Sequence, residues 1–325
     1  MKKTLLLASL AAAFSTPAMA EPTLYGDFRA SVVTGDLAGD TSTDFVNNAS
    51  RVGIKGSQGN DNLKAIYHLQ MGANQDTNDT TSAALTSRFY FAGLQGSMGK
   101  LIYGRLSTPY KMTGVKQDPF YDTSAGLVGG GSNYGYSSLI NGFSDNSFAY
   151  YSPKMGGLSF NASYTMADEA TQKAGAGVGI EYAAGGMKFG LNHLMLDGAG
   201  TNVALANGTD SATRIYAGAK MGALNVNASY EMVAQASGDD AKFTNLNATY
   251  NATKAMKLAA SYGQVSGADG VSGSAAKWNA DGSNVTAGAF YNVLPKTTVH
   301  AMYTATSLDS GTDKNGLAVG IKQGF

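Results

Sequence analysis

The sequence predicts an all-β fold, a transmembrane antiparallel β-barrel of about 16 strands. Three observations predict it. Apolar and polar residues alternate in short segments as far as the C-terminus; beyond the N-terminus no run of about 20 apolar residues could form a spanning helix; and 42 Gly and 18 Tyr accompany only 6 Pro and no Cys, a mixture suited to short strands and tight turns. With 14% charged and 43% hydrophobic residues, the chain is no greasier than a soluble protein, so any spanning must use half-apolar strands.

The N-terminus comes first. Lys2 and Lys3 form a positive region, Thr4 to Phe14 an apolar one, and Ala18-Met19-Ala20 a small-x-small site. Residues 1–20 therefore read as a cleaved signal peptide, and residues 21–325 as one barrel domain without a linker. Removing Lys2 and Lys3 from the 23 basic residues leaves two fewer than the 23 acidic ones, which gives no sign of a nucleic-acid partner.

Alternation is clearest in two segments. Leu158, Phe160, Ala162, Tyr164 and Met166 interleave with Ser159, Asn161, Ser163 and Thr165. Leu224, Val226, Ala228, Tyr230 and Met232 interleave in the same way with Asn225, Asn227, Ser229 and Glu231. Met256 to Tyr262 and Val299 to Ala305 repeat the pattern more weakly. A sandwich would need bulky apolar faces to pack together. Here those faces are diluted by Ala and Gly, and Tyr25, Tyr164, Phe189, Tyr230, Tyr262 and Tyr303 are expected near strand ends, as in interfacial girdles. A hairpin of roughly 35 to 40 residues turns the mature chain into about 16 strands. Met155-Gly156-Gly157, Ala184-Gly185-Gly186 and Thr253-Lys254-Ala255 read as tight turns. Asp36 to Asn48, Asn74 to Ala84, Asp197 to Ser211 and Ser266 to Gly282 read as long external loops.

Six segments carry a family resemblance. They are Leu24-Tyr25-Gly26-Asp27-Phe28-Arg29-Ala30-Ser31-Val32, Ser50-Arg51-Val52-Gly53-Ile54-Lys55-Gly56, the run from Ser87-Arg88 through Gly99-Lys100-Leu101-Ile102-Tyr103-Gly104-Arg105 to Thr108-Pro109, Asp145 to Pro153, Tyr291 to Thr298 with Tyr303, and Gly320 to Phe325. In this order they resemble strands of Gram-negative general diffusion porins of the Neisseria and Comamonas type. The resemblance implies a homotrimer of 16-stranded barrels in the outer membrane, in contact with lipid and lipopolysaccharide and open to passive diffusion of ions and small hydrophilic solutes. It implies a third external loop folded inward, here about Lys111 to Ser144.

The same resemblance places a pore constriction at Arg29, Arg51, Arg88, Arg105, Asp118 and Asp122. Alternation independently turns Arg29 and Arg51 away from their apolar neighbours, whereas Arg88 is in phase with Tyr90, Ala92 and Leu94 and could face either way. Facing charges of opposite sign across a narrow passage set up a transverse field. Phe143 and Ala149 stand where relatives often carry Arg, which thins the basic wall. The resemblance also makes Phe325, with Ile321 and Gln323 on its face, a signal read by the barrel-assembly machinery.

Competing readings are a secreted β-rich adhesin, a substrate-specific porin and a barrel hydrolase. His68, His193 and His300 fall in separate segments with no nucleophile or metal spacing, so no catalytic set, metal or cofactor is expected. Gly129-Gly130-Gly131 has no following Lys-Ser/Thr and reads as loop.

Overall fold

The computed structural model describes residues 18–19, 22–37, 41–60, 62–73, 85–125, 134–167, 174–196, 209–235, 238–269, 279–311 and 313–325. Sixteen antiparallel strands follow one another around a closed sheet. They are β1 (Thr23–Leu37), β2 (Thr41–Asn47 and Arg51–Gly59), β3 (Leu63–Ala73), β4 (Leu85–Gly96), β5 (Gly99–Leu106), β6 (Ser144–Tyr151), β7 (Leu158–Thr165) and β8 (Gly175–Ala184). The second half comprises β9 (Met187–Leu196), β10 (Thr209–Met221), β11 (Leu224–Gln235), β12 (Ala241–Asn251), β13 (Met256–Ser266), β14 (Gly282–Leu294), β15 (Thr297–Leu308) and β16 (Lys314–Gly324). Each strand pairs with its neighbours in sequence, and β16 pairs with β1 to close the ring. Closure leaves no strand edge open, which is what a sheet surrounded by hydrocarbon requires. A further two-residue bridge joins Ala18 and Met19 to Gly59 and Gln58.

The barrel is apolar outside and polar inside. Along β11, Ala228, Tyr230 and Met232 are exposed while Asn227, Ser229 and Glu231 are buried. Asn192, Asn245, Asn284, Thr286 and Thr304 are likewise buried, against an outer surface of Val178, Ile215, Leu246, Val285, Leu317 and Val319. In water such a surface would aggregate; against lipid it is the stable arrangement. Gly and Tyr also find a use together. Gly53 lies opposite Tyr25, Gly56 opposite Tyr67 and Gly190 opposite Tyr216, and in each pair the ring covers the space a Cβ would need.

The three tight turns fall where alternation puts them, with Gly156, Gly157, Gly185 and Gly186 at positive φ. The loop expectations need trimming. Thr41–Asn47 is not loop but strand, paired with Ala30 to Asp36 of β1, because its alternating Thr, Phe and Val can extend the hairpin. Thr209, Asp210 and Ser211 similarly begin β10, and Ser266 closes β13. Residues 74–84, 197–208 and 270–278 fall outside the described residues. The aromatic expectation also needs correction: Tyr25 and Phe189 sit at strand starts and Tyr164 near a strand end, but Tyr230, Tyr262 and Tyr303 occupy the middles of strands 12, 11 and 12 residues long. These strands run further toward the long-loop end than their clearest alternation does.

Between β5 and β6 the chain does not return directly. Thr108 accepts a hydrogen bond from the Lys111 N–H and caps a short helix, α1 (Pro109–Val115), whose first residue, Pro109, suits a position that needs no N–H donor. A 3-10 turn at Ser138–Ile140 packs against α1. Residues of this segment contact strands well beyond its neighbours: Asp122 reaches β1 and β2, Phe120 packs on Phe290 of β14, Tyr110 reaches β11, and Tyr136 receives a hydrogen bond from Asn247 of β12.

Candidate functional site

Local irregularity of the sheet positions the charged groups. Between the pairs Asp27 with Arg51 and Ala30 with Asn47, β2 holds one residue more than β1, and Ala49 there has φ 62. Asn47 stabilises this bulge by accepting from the Ser50 N–H at 2.9 Å and donating to the Ala73 carbonyl at 2.7 Å. A bulge bends the strand and re-aims adjacent side chains. Here it sets Arg51 opposite Asp27 and brings it beside Arg29. Asp27 pairs with Arg29, two residues along the same face of β1, and lies 3.7 Å from Arg51. Asp122 completes the group, 2.9 Å from Arg29 and 2.5 Å from Arg51. It has φ 59, a left-handed conformation that Asp tolerates better than most residues.

A second bulge resolves the ambiguous phase of Arg88. Met71 pairs with Ser87 and Gln70 with Phe89, so Arg88 is the extra residue. It leaves the phase of Tyr90, which is 67% exposed on the outer face, and donates from Nε to Gln70 at 2.9 Å. A third irregularity adjoins Arg105, where Gly104 pairs with Ser147 and Leu106 with Ser144. Arg105 there bonds Asp145 at 2.6 Å and the Ser87 carbonyl at 3.2 Å.

Phe143 joins these groups. Around its ring lie Lys111 at 3.9 Å, Arg88 at 5.0 Å and Arg105 at 5.5 Å from the centroid. Attraction of each cation to the ring quadrupole offsets their mutual repulsion. The residue expected to thin the basic wall is the one on which three cations converge. Lys111 also donates to the carbonyls of Asn141 and Gly142 at 3.2 and 2.7 Å. Burial, and after it Arg88, pulls its ammonium down to about 7.

Asp118 stands apart from the arginines. It is buried, it accepts from the Phe120 N–H at 2.8 Å, and its Oδ2 has no partner among the described residues. Burial pushes its carboxyl up to about 8, so it is largely neutral near pH 7. Of the two acids expected to face the arginines, only Asp122 does so.

Glu231 and Arg214 form a separate fastening, 0% and 1% exposed at Arg and Glu respectively and 2.9 Å apart. Glu231 also accepts from the Tyr110 hydroxyl at 2.7 Å and the Ser137 hydroxyl at 2.6 Å. Arg214 donates to the Tyr110 carbonyl at 2.9 Å. Sequence reasoning missed Asp27, Lys111, Arg214 and Glu231. Asp27 was detectable from its same-face spacing to Arg29, and Glu231 from its inward phase in β11. The histidines remain scattered: His68 bonds Tyr25, His193 bonds Thr213 at 2.8 Å, and His300 lies 3.1 Å from a Ser31 hydroxyl that also accepts from Asn48.

Comparison with known proteins agrees with this geometry. The chain is 31% identical over 185 residues to the major outer membrane protein P.IB of Neisseria meningitidis serogroup B, covering 52% of this chain and 51% of that protein. It is also 31% identical over 189 residues to an outer membrane porin protein of Bordetella pertussis, covering 51% of this chain and 48% of the other. The chain thus spans about half the length of the curated relatives it matches. Among solved structures, an anion-selective porin from Comamonas acidovorans superposes with a TM-score of 0.74 at 18% identity, covering 94% of this chain and 99% of that one. Salmonella typhi OmpF gives a TM-score of 0.74 at 19% identity, covering 94% and 97%. Residues 7–311 match the sequence profile of the Gram-negative porin family, and with its closed barrel, apolar outside and polar within, the chain belongs to that family and is an outer-membrane protein.

Proposed function

We propose that the barrel is a water-filled channel for passive diffusion of ions and small hydrophilic solutes, narrowed by the segment between β5 and β6. The observation that carries this reading is Asp122, a residue of that segment, ion-paired with Arg29 and Arg51 on the facing wall. In this reading Asp27 and Asp122 offset Arg29 and Arg51, while Arg88 and Lys111 have no carboxylate partner among the described residues and Arg105 shares Asp145. The surplus is positive, which favours anions in a low-dielectric passage. The anion-selective Comamonas porin superposes on this barrel, which supports the same direction.

The proposal extends to export with cleavage after Ala20, a homotrimer in contact with lipid and lipopolysaccharide, and insertion by the barrel-assembly machinery acting on Phe325. Support comes from the n-region, h-region and cleavage site at residues 2–20 and from the superposed OmpT of Vibrio cholerae, which has a trimer form.

The test is single-channel current across a planar bilayer under a salt gradient. Purified mature protein is expected to give current steps in groups of three and a reversal potential on the anion side. Asp122→Asn, which removes one of the carboxylates facing the arginines, should move that potential further toward anions. No conductance from a correctly folded barrel would sink the channel reading.

A further inference from the structure

We infer that the short-turn mouth of the barrel holds a binding site for small multivalent oxyanions, built on lysines that adjoin the group around Asp122 but take no part in its ion pairs. Two adjoining cavities, of about 350 and 520 Å³, lie beside the turns at 252–255 and 295–296. Lys254 and Lys322 line both; Lys257 and Arg29 line the first and Lys296 the second. The only carboxylate on either wall among the described residues is Asp122, which Arg29 and Arg51 already engage. Among the described residues, none of these four lysines makes an ion pair. Lys257 is held in place by the Phe290 ring, 4.3 Å from its centroid, and that ring packs in turn on Phe120.

Four unpaired ammonium groups around one trough cost repulsion energy that a bound anion relieves, and the relief grows with the anion's charge. The sequence reinforces the effect. Lys64, Lys100, Lys154, Lys188 and Lys220 also flank short turns, whereas Asp44, Asp210, Asp239, Asp240, Asp281 and Asp309 lie at the opposite, long-loop end. Lysine ammonium is a compact point charge and lacks the planar fork with which Arg matches one carboxylate. The site therefore selects by valence more than by shape: citrate above sulfate, sulfate above chloride. Screening at high ionic strength weakens it.

The binding arm of the test does not depend on conduction; only the current arm rests on the channel reading. Citrate and sulfate are titrated calorimetrically into barrel folded in an uncharged detergent, with folding verified by heat-modifiable migration on SDS gels. Citrate is expected to bind more tightly than sulfate. K257Q/K322Q should weaken citrate by about tenfold or more, as should K254Q/K296Q, whose sites are exposed turn positions. Lys242→Gln, exposed at the long-loop end and outside both cavities, should change nothing. Equal citrate affinity in the wild type and both double variants, or no citrate binding by folded protein, would overturn the inference. In the bilayer, citrate should reduce the wild-type current and spare K257Q/K322Q. Citrate binding without any channel current would sink the channel reading alone.

Discussion

Asp118 and Asp122 belong to the same short run of the β5–β6 segment, yet only Asp122 reaches the arginines. Asp122 lies between two guanidinium groups, whereas Asp118 is enclosed with a single backbone donor. The buried carboxyl makes docking of the segment depend on pH. Its value is about 8 when docked and 3.8 when exposed to solvent, so the docked state binds more protons between these limits. Docking is strongest below about pH 4, weakens as pH rises through 8, and is flat above that. On the proposed channel reading, open-channel current noise recorded across this range should grow with rising pH, and Asp118→Asn should flatten the dependence. The sequence cannot separate the two acids, because composition and spacing describe a loop equally well with either one facing inward. What separates them is the packing of Phe120 against Phe290, a contact between distant segments.

At the scale of elements, the buried Arg214–Glu231 pair is the strongest candidate for what fixes the inward segment. Removing one partner of such a pair leaves an uncompensated buried charge and costs about 3–5 kcal/mol, whereas replacing both with apolar residues of similar volume costs little. Glu231→Gln should therefore make the open-channel current noisy and lower the temperature at which the folded band disappears on SDS gels. Arg214→Met with Glu231→Leu should recover the thermal midpoint but not the quiet current, because Tyr110 and Ser137 lose their acceptor. Quiet current in Glu231→Gln would rule out the fastening role. Strands and tight turns were legible in the sequence because period-two alternation and Gly pairs are local signals. The arginines were only half legible, since Arg51, Arg88 and Arg105 each adjoin an irregularity in pairing, and a bulge cancels the alternation that would reveal which way a side chain points.

For the molecule as a whole, the seam between β1 and β16 is where the ring closes. The Phe325 N–H donates to the Gly26 carbonyl at 3.0 Å, and the Phe325 ring occupies the space a Cβ on Gly26 would fill. The terminal residue thus has a structural contact as well as its proposed role in assembly, and two variants separate them. Deleting Phe325 should lower the amount of protein in the outer membrane without altering the current of barrels that do insert. Gly26→Val, which displaces the ring but keeps the terminal aromatic, should leave that amount unchanged and lower only thermal stability. Normal outer-membrane levels after the deletion would refute the assembly role.

Glu231 has one more consequence. Tyr110 reaches it from before residues 126–133, and Ser137 from after them. The two limbs of the β5–β6 segment are therefore fastened to the same point on the wall. On the proposed channel reading, a protease nick or a foreign peptide spliced between residues 126 and 133 should leave the single-channel conductance unchanged, because both fastenings to Glu231 survive it.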